Sequence, residues 1–192
     1  MQTYPLALKI INVCWILFAV IWLLAAFATK QSVYRESTAR RLRYVIPILL
    51  GGFLLTKGHR LSDPLSHRLI PHLDALAWLG VVLCVAGLAV CIWARFTLGR
   101  NWSGVVTFKA GHELITSGPY ALARHPIYTG LLSMALGTVI VLGHLAGIIA
   151  MPLIFVSFWI KLRYEEKIML EKFPDEYAAY QRRVKRLIPF VL

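Results

Sequence analysis

Acidic side chains are scarce in this chain. Nine Asp and Glu stand against 21 Lys and Arg in 192 residues, and only 16% of the residues are charged while 58% are hydrophobic. Soluble domains carry about 25% charged and about 45 to 50% apolar residues, so this balance excludes an ordinary soluble protein and indicates a polytopic membrane protein. The net charge of +12 does not mark a nucleic-acid partner, because the basic residues fall between apolar runs instead of forming a patch on a soluble surface. Cysteine is equally sparse. Cys14, Cys84 and Cys91 lie inside apolar runs with no CxxC pair and no histidine at ligand spacing, which supports neither a disulfide framework nor a zinc site and leaves them as small core residues. His59, His67, His72 and His144 also lack Cys, Asp or Glu at ligand spacing, so no metal is expected. No GxGxxG opens a helix after a strand, and no P-loop or nucleophile elbow is present, which excludes a soluble-type nucleotide fold. The first apolar run lacks a basic leader and a small-residue cleavage site, so it reads as a retained helix.

What is abundant is long apolar sequence. A helix needs roughly 20 apolar residues to cross about 30 Å of hydrocarbon. The expected fold is an all-α integral membrane protein of one domain, residues 1–192, with spans near 6–29, 44–56, 73–96, 127–143 and 146–160. The second is short, contains Pro47, Gly51 and Gly52, and could be a thin kinked span. Gly80 and Gly87, seven apart in the third, offer a face on which a neighbouring helix can approach closely. Alternating the loops puts seventeen Lys and Arg on one side and four on the other, Lys9, Lys57, Arg60 and Arg68. The positive-inside rule then places the C-terminus, and segments 95–126 and 161–192, in the cytoplasm. Beyond the fifth span a helix is expected to continue through "EEKIML", and a new one to start at Pro174, with Asp175 and Glu176 at its positive end and Arg182, Arg183, Lys185 and Arg186 at its negative end. His112, in "KAGHELIT", could belong to a short hairpin or a loop under the site.

Four polar elements share that cytoplasmic side: the loop "GPYALARHP", the pair Glu165 and Glu166, the tyrosines and arginines of the last helix, and Ile188–Pro189. His125 precedes a proline and is biased away from helical geometry, leaving backbone N–H groups of the following turn to meet an anion. The plainer alternative makes Arg124 and His125 interface residues, Tyr120 and Tyr128 an aromatic belt, Glu165 and Glu166 a solvated ion-pair face, and the last helix a basic amphipathic helix on lipid.

Taken together, "LGRNWSGVV", "HELITSGPYALARHPIYTG" and "EEKIMLEKFPDEYAAYQRRVKRLIPF" resemble the isoprenylcysteine carboxyl methyltransferases and the related bacterial phospholipid-methyltransferase-like membrane proteins. The resemblance covers residues 98–190; each piece is a weak pattern, and their order and spacing are specific. It implies a methyltransferase using S-adenosylmethionine, held between the last two spans and the C-terminal helices and reached from the cytosol. Tyr120, His125, Pro126, Tyr128 and Gly130 would line the cofactor pocket, Glu165 or Glu166 would close it, and Tyr177, Tyr180, Arg183, Leu187, Ile188 and Pro189 would form its lid. Arg124 resembles the arginine that recognises the acceptor's carboxylate, and Arg124 and Glu166 are the expected catalytic residues. Pro174 departs from the glycine usual in eukaryotic relatives, and the short chain resembles the prokaryotic branch, which implies an inner-membrane location.

The expected acceptor is a prenylcysteine-like lipophilic carboxylate reached through an opening between spans. A phospholipid amine or small thiol is the second possibility and needs a base such as Glu165, Glu166 or His125. A sterol-reductase-like enzyme ranks below these, since enclosing a sterol takes more spans. A non-enzymatic lipid-binding scaffold would leave Arg124, His125, Glu165, Glu166 and Arg183 apart and solvated.

Overall fold

The computed structural model describes residues 3–26, 32–102, 107–109 and 114–191; His112 lies outside them, as does part of the 95–126 segment. Five long helices dominate: α1 (Thr3–Ala26), α2 (Thr38–Lys57), α4 (Asp74–Leu98), α5 (Pro126–Leu142) and α6 (Leu145–Lys172). Two shorter ones are α3 (Asp63–Ser66) and α7 (Pro174–Arg183). Three helices, α1, α4 and α6, are long and apolar enough to cross a membrane.

The helices alternate in direction. Arg95 near the end of α4 donates to Ala25 O at the end of α1 (2.6 Å), Arg43 early in α2 donates to Tyr164 late in α6 (3.3 Å), and Arg68, just before α4, reaches Leu142 O at the end of α5 (2.6 Å). Side chains exposed on the outside are apolar, such as Leu24 at 68%, Leu49 at 67% and Val82 at 60%, far beyond the patches a soluble monomer presents and suited to lipid contact.

Two observations depart from the sequence reading. The expected 44–56 segment is the end of a 20-residue helix that starts at Thr38, because Ala39, Arg40, Arg41 and Leu42 are good helix formers even though their charge hides them from a hydropathy scan. The fold is all-α as expected, with one unforeseen addition: β1 (Ser32–Arg35) and β2 (Thr107–Lys109) pair antiparallel between the α1–α2 and α4–α5 connections. Elsewhere the punctuation acts as read. Gly143 at φ 66° caps α5, it and His144 are the two residues between α5 and α6, and Pro126 and Pro174 start α5 and α7.

Packing is tightest between α4 and α5. A Cβ on Gly80 would lie 2.6 Å from Gly137 O, and one on Gly87 would lie 2.4 Å from Gly130 O, so two glycine pairs seven residues apart let the backbones touch. One core cluster joins α1, α4 and α5 around Ile11, Cys84, Cys91 and Met134, with the three cysteines free and buried. A second joins α2, α5 and α6 around Ala150, Phe158 and Leu162. Both clusters fix α5 in the centre, and its first turn therefore sits rigidly at the basic end of the bundle.

Candidate active site

At that end, residues 123–125 are extended into α5. Because His125 precedes Pro126 it stays out of helical geometry (φ −126°, ψ 59°), and its N–H is free to pair sideways. It pairs with the C-terminal tail: Arg124 N donates to Lys185 O (2.8 Å) and His125 N to Arg186 O (2.9 Å), a short parallel bridge centred on Ala123 and Lys185. Thr129 Oγ1 adds a bond to Leu187 O (2.7 Å). The tail after α7 is thus a strap, not a further helix. In the following turn, the Tyr128 and Thr129 N–H groups donate to His125 O, so these two of the groups expected to meet an anion are taken by backbone.

Glu166 is the centre of the charge network. It is 4% exposed, and its Oε1 accepts from Arg124 Nε (2.9 Å) and Nη2 (2.7 Å) and faces His125 Nε2 at 3.3 Å. Its Oε2 accepts from Arg186 Nε (3.0 Å) and Gln181 Nε2 (3.5 Å). About 20 of the 28 residues of α6 suffice to cross the hydrocarbon, so Glu165 and Glu166 stand just beyond it. Burial alone would raise the Glu166 carboxyl, but hydrogen bonds from His125 and Arg124 and their charge hold it down at about 2.

Arg124 commits four of its five N–H groups: besides the two to Glu166, its Nη1 donates to Val184 O and to Gln181 O (3.3 Å). Arg186 is the more open guanidinium, with a side chain 37% exposed against 6% for Arg124, and its Cζ lies 5.3 Å from the Trp159 ring.

Glu165 presents a second carboxylate at the same place. Its Oε1 accepts from Tyr128 OH (2.6 Å), its Oε2 lies 3.6 Å from His125 Nδ1, and Lys161 Nζ is 3.9 Å away. His125 therefore bridges both glutamates, and of the two Glu165 is the open one, 25% exposed in its side chain against 5%. Tyr128 is stacked between His125 (5.5 Å between centroids) and Phe158 (4.9 Å).

The tyrosines of α7 are buried. Tyr180 OH donates to Tyr120 O at 2.5 Å, and Tyr120 OH reaches Ala94 O at 3.5 Å, which ties α7 through the 118–121 turn to α4. Burial pushes the Tyr180 hydroxyl up to about 12 against the pull of Arg124, and raises Tyr177 and Tyr120 further, so all three stay protonated donors at neutral pH.

Of the residues singled out in the sequence, the structure brings together Tyr120, Arg124, His125, Pro126, Tyr128, Glu165, Glu166, Tyr177, Tyr180 and Leu187. Gly130 faces α4 instead, where a Cβ would meet Gly87 O at 2.5 Å and Cys91 Sγ at 2.6 Å. Arg183 is exposed and stands apart, as does Ile188 at 49% exposed, while Pro189 is half-buried. Sequence reading assigned no role to Gln181 and placed Arg186 at the basic end of the last helix; four residues lie between them, and the turn from helix to strap after Arg183 brings both to Glu166.

Comparisons with known proteins give the family. The model of the family described as "Phospholipid methyltransferase" matches residues 75–176, more than half of the chain. A probable protein-S-isoprenylcysteine O-methyltransferase of Oryza sativa subsp. indica is 29% identical over 172 residues, covering 88% of this chain and 87% of that one. The protein-S-isoprenylcysteine O-methyltransferase of Homo sapiens is 32% identical over 127 residues, 63% of this chain but 45% of that one. A solved structure, the eukaryotic intramembrane Ras methyltransferase ICMT (isoprenylcysteine carboxyl methyltransferase), superposes with a TM-score of 0.53 at 27% identity, covering 83% of this chain and 55% of that chain. The chain thus spans about half the length of the human relative and of the solved structure. The match to the rice relative extends well into the N-terminal helices, where the sequence showed no signature. This chain belongs to the phospholipid methyltransferase family of membrane proteins.

Proposed function

We propose that this chain is a five-span membrane methyltransferase that uses S-adenosylmethionine to methylate the carboxylate of a prenylcysteine-like lipophilic acceptor at the cytosolic face. The single observation carrying the reading is the buried Glu166 held by Arg124, His125 and Arg186, a preorganised cluster in which Arg124, Arg186 and Lys161 outnumber Glu165 and Glu166 by one charge at the end of an apolar bundle. The names of the rice and human relatives support the acceptor class.

The residues present fit the cofactor. Glu165 offers an open carboxylate beside His125 and the Tyr128 hydroxyl, suited to ribose hydroxyls or, through its charge, to a sulfonium cation. When bound, S-adenosylmethionine supplies an activated methyl group, so a carboxylate acceptor needs positioning more than a strong base. Tyr177 and Tyr180 close the pocket from α7, and the strap fixes Leu187 beside it.

Arg124 and Arg186 act as a pair toward the acceptor. Arg124, buried and engaged, orients Glu166 and contributes positive field, and Arg186 carries exposed N–H groups that can take a carboxylate bidentately. An ionised carboxylate is drawn to this excess of positive charge, whereas a phospholipid amine is not, which ranks the amine reading second.

The test uses purified protein in detergent. It should bind S-adenosylhomocysteine by calorimetry and transfer labelled methyl from S-adenosylmethionine to a farnesylcysteine analogue in preference to phosphatidylethanolamine. Folded protein that does not bind S-adenosylhomocysteine overturns the proposal, and transfer to phosphatidylethanolamine alone overturns the acceptor.

A further inference from the structure

At the opposite end of the bundle lies a cavity of about 410 Å³ that the methyltransferase reading does not use. Its polar lining comes from Tyr4, Arg68, His72 and Asp74, and its apolar walls include Ala77 and Val141. Because α5 runs 17 residues from Pro126 to Leu142, this cavity is about 25 Å from the Glu166 cluster. Nothing bound here could reach the site of transfer.

Arg68 is built into this place. Residues 67–70 pair with the α5–α6 connection through Leu69 N to Gly143 O (2.8 Å) and Leu145 N to His67 O (2.9 Å). Gly143 is required beside it, since its φ is 66° and a Cβ there would lie 2.8 Å from Arg68 Cζ. The guanidinium donates to Leu142 O (2.6 Å), Val141 O (3.0 Å) and Tyr4 OH (3.4 Å), closing the negative end of the α5 dipole. Two of its five N–H groups stay uncommitted in this arrangement. One of them, Nε–H, is buried without a hydrogen-bond partner, a costly state for a charged donor that a ligand oxygen would relieve. Basic residues are depleted on this side of the loops, which leaves Arg68 as a positive charge kept where the positive-inside rule disfavours it.

The cavity also holds the opposite charge. Asp74, exposed, opens α4 across from Arg68, and the Tyr4 and His72 rings meet edge-on at 4.4 Å to form a wall between polar and apolar parts. We infer that this cavity is a binding site for the headgroup of a zwitterionic phospholipid, with the phosphodiester on Arg68, the ammonium on Asp74, and the glycerol and acyl chains leaving along the apolar faces of α1, α4 and α5. A free phosphate satisfies only the guanidinium. A lipid satisfies the guanidinium, the carboxylate and the apolar wall together, and the outer surface of these helices is already apolar.

The experiment is native mass spectrometry of delipidated full-length protein in detergent, with phosphatidylethanolamine, phosphatidylglycerol, diacylglycerol or inorganic phosphate added in separate arms. One retained phosphatidylethanolamine per chain is expected, with at least 10-fold lower occupancy by diacylglycerol and no protection by inorganic phosphate in a thermal melt. Asp74→Asn should lower phosphatidylethanolamine retention at least 5-fold and leave phosphatidylglycerol retention unchanged, and Ala77→Trp, which fills the cavity, should lower both. Arg68→Gln should abolish retention, and because Arg68 also caps α5, the first two variants carry the test if this one does not fold. Equal lipid retention in wild type, Asp74→Asn and Ala77→Trp, all with native helical content, overturns the inference. Protection by inorganic phosphate matching that of phosphatidylethanolamine overturns the lipid in favour of a free anion.

Discussion

Glu166 and Glu165 are neighbours in sequence with opposite environments, and replacing each by Gln separates their roles. Glu166→Gln leaves Arg124 buried without a counter-charge, and removing one partner of a buried pair costs about 3 to 5 kcal/mol. The expected outcome is a large fall in the melting midpoint together with loss of transfer. Glu165→Gln touches a carboxylate that is partly exposed, so stability should change by less than about 1 kcal/mol while S-adenosylhomocysteine affinity in calorimetry falls at least ~10-fold. Arg186→Ala should raise KM for the farnesylcysteine analogue ~10-fold or more and leave S-adenosylhomocysteine binding nearly intact, the pattern of a group that binds acceptor. The pH dependence follows from Glu166. Its folded value of about 2 lies below the ordinary 4.5, so the stability it contributes is complete above about pH 4.5 and is lost as pH falls toward 2. Melting midpoints across that window should therefore fall more steeply with acid in wild type than in Glu166→Gln. The arginine and histidine of "RHP" and the "EE" pair were legible in the sequence because their chemistry is unusual at a span mouth. Arg186 was not, because among eight basic residues between 161 and 186 only the fold distinguishes the one that turns inward.

Between elements, the α4–α5 contact is where the sequence was half legible. Gly80 and Gly87 were visible as a small-residue face, but Gly130 was read as a pocket residue, since a single chain does not state which helix packs against which. The structure pairs Gly130 with Gly87 and Gly137 with Gly80, backbone against backbone. A Cβ on Gly137 would lie 2.3 Å from Gly80 O, and no flexible side chain is there to yield, so Gly137→Ala should cost about 1 to 3 kcal/mol in overpacking. Gly52 on α2 provides the control: nothing lies within 4 Å of its would-be Cβ, and Gly52→Ala should be neutral or stabilise by up to about 1 kcal/mol through helix propensity. Melting of the two variants in the same detergent checks both, and equal midpoints contradict the packing account. The start of α2 at Thr38 and the two short strands escaped the sequence reading for a related reason: each depends on backbone pairing or helix continuation that a hydropathy pattern does not encode.

For the whole molecule, the alternating helix directions and the one-sided charge predict one topology. Ends of α1, α4 and α6 meet at the Glu166 side, together with the starts of α2 and α5, and α7 with its basic residues closes that side. If all five long helices cross, the α2–α4 connection and the short α5–α6 turn lie on the far side with Arg68, and every heavily basic segment lies on the near side. The decisive segment is α2, whose charged first turns keep it from reading as a span, although its 20 residues extend about 30 Å, the thickness of the hydrocarbon. Cys14, Cys84 and Cys91 are buried in the bundle, so a single introduced thiol can report its side without background from them. Ser62→Cys, in the connection after α2, should react with a membrane-impermeant maleimide in intact cells, and Arg182→Cys, on α7, only after permeabilisation. Should α2 fail to cross, Ser62→Cys and Arg182→Cys would become reactive together, and the Arg68 cavity would then share a compartment with the methyl-transfer site. Separate labelling instead sets the two on opposite faces, with the Arg124–Glu166 cluster on the basic side, the side that the charge bias predicts to be cytosolic.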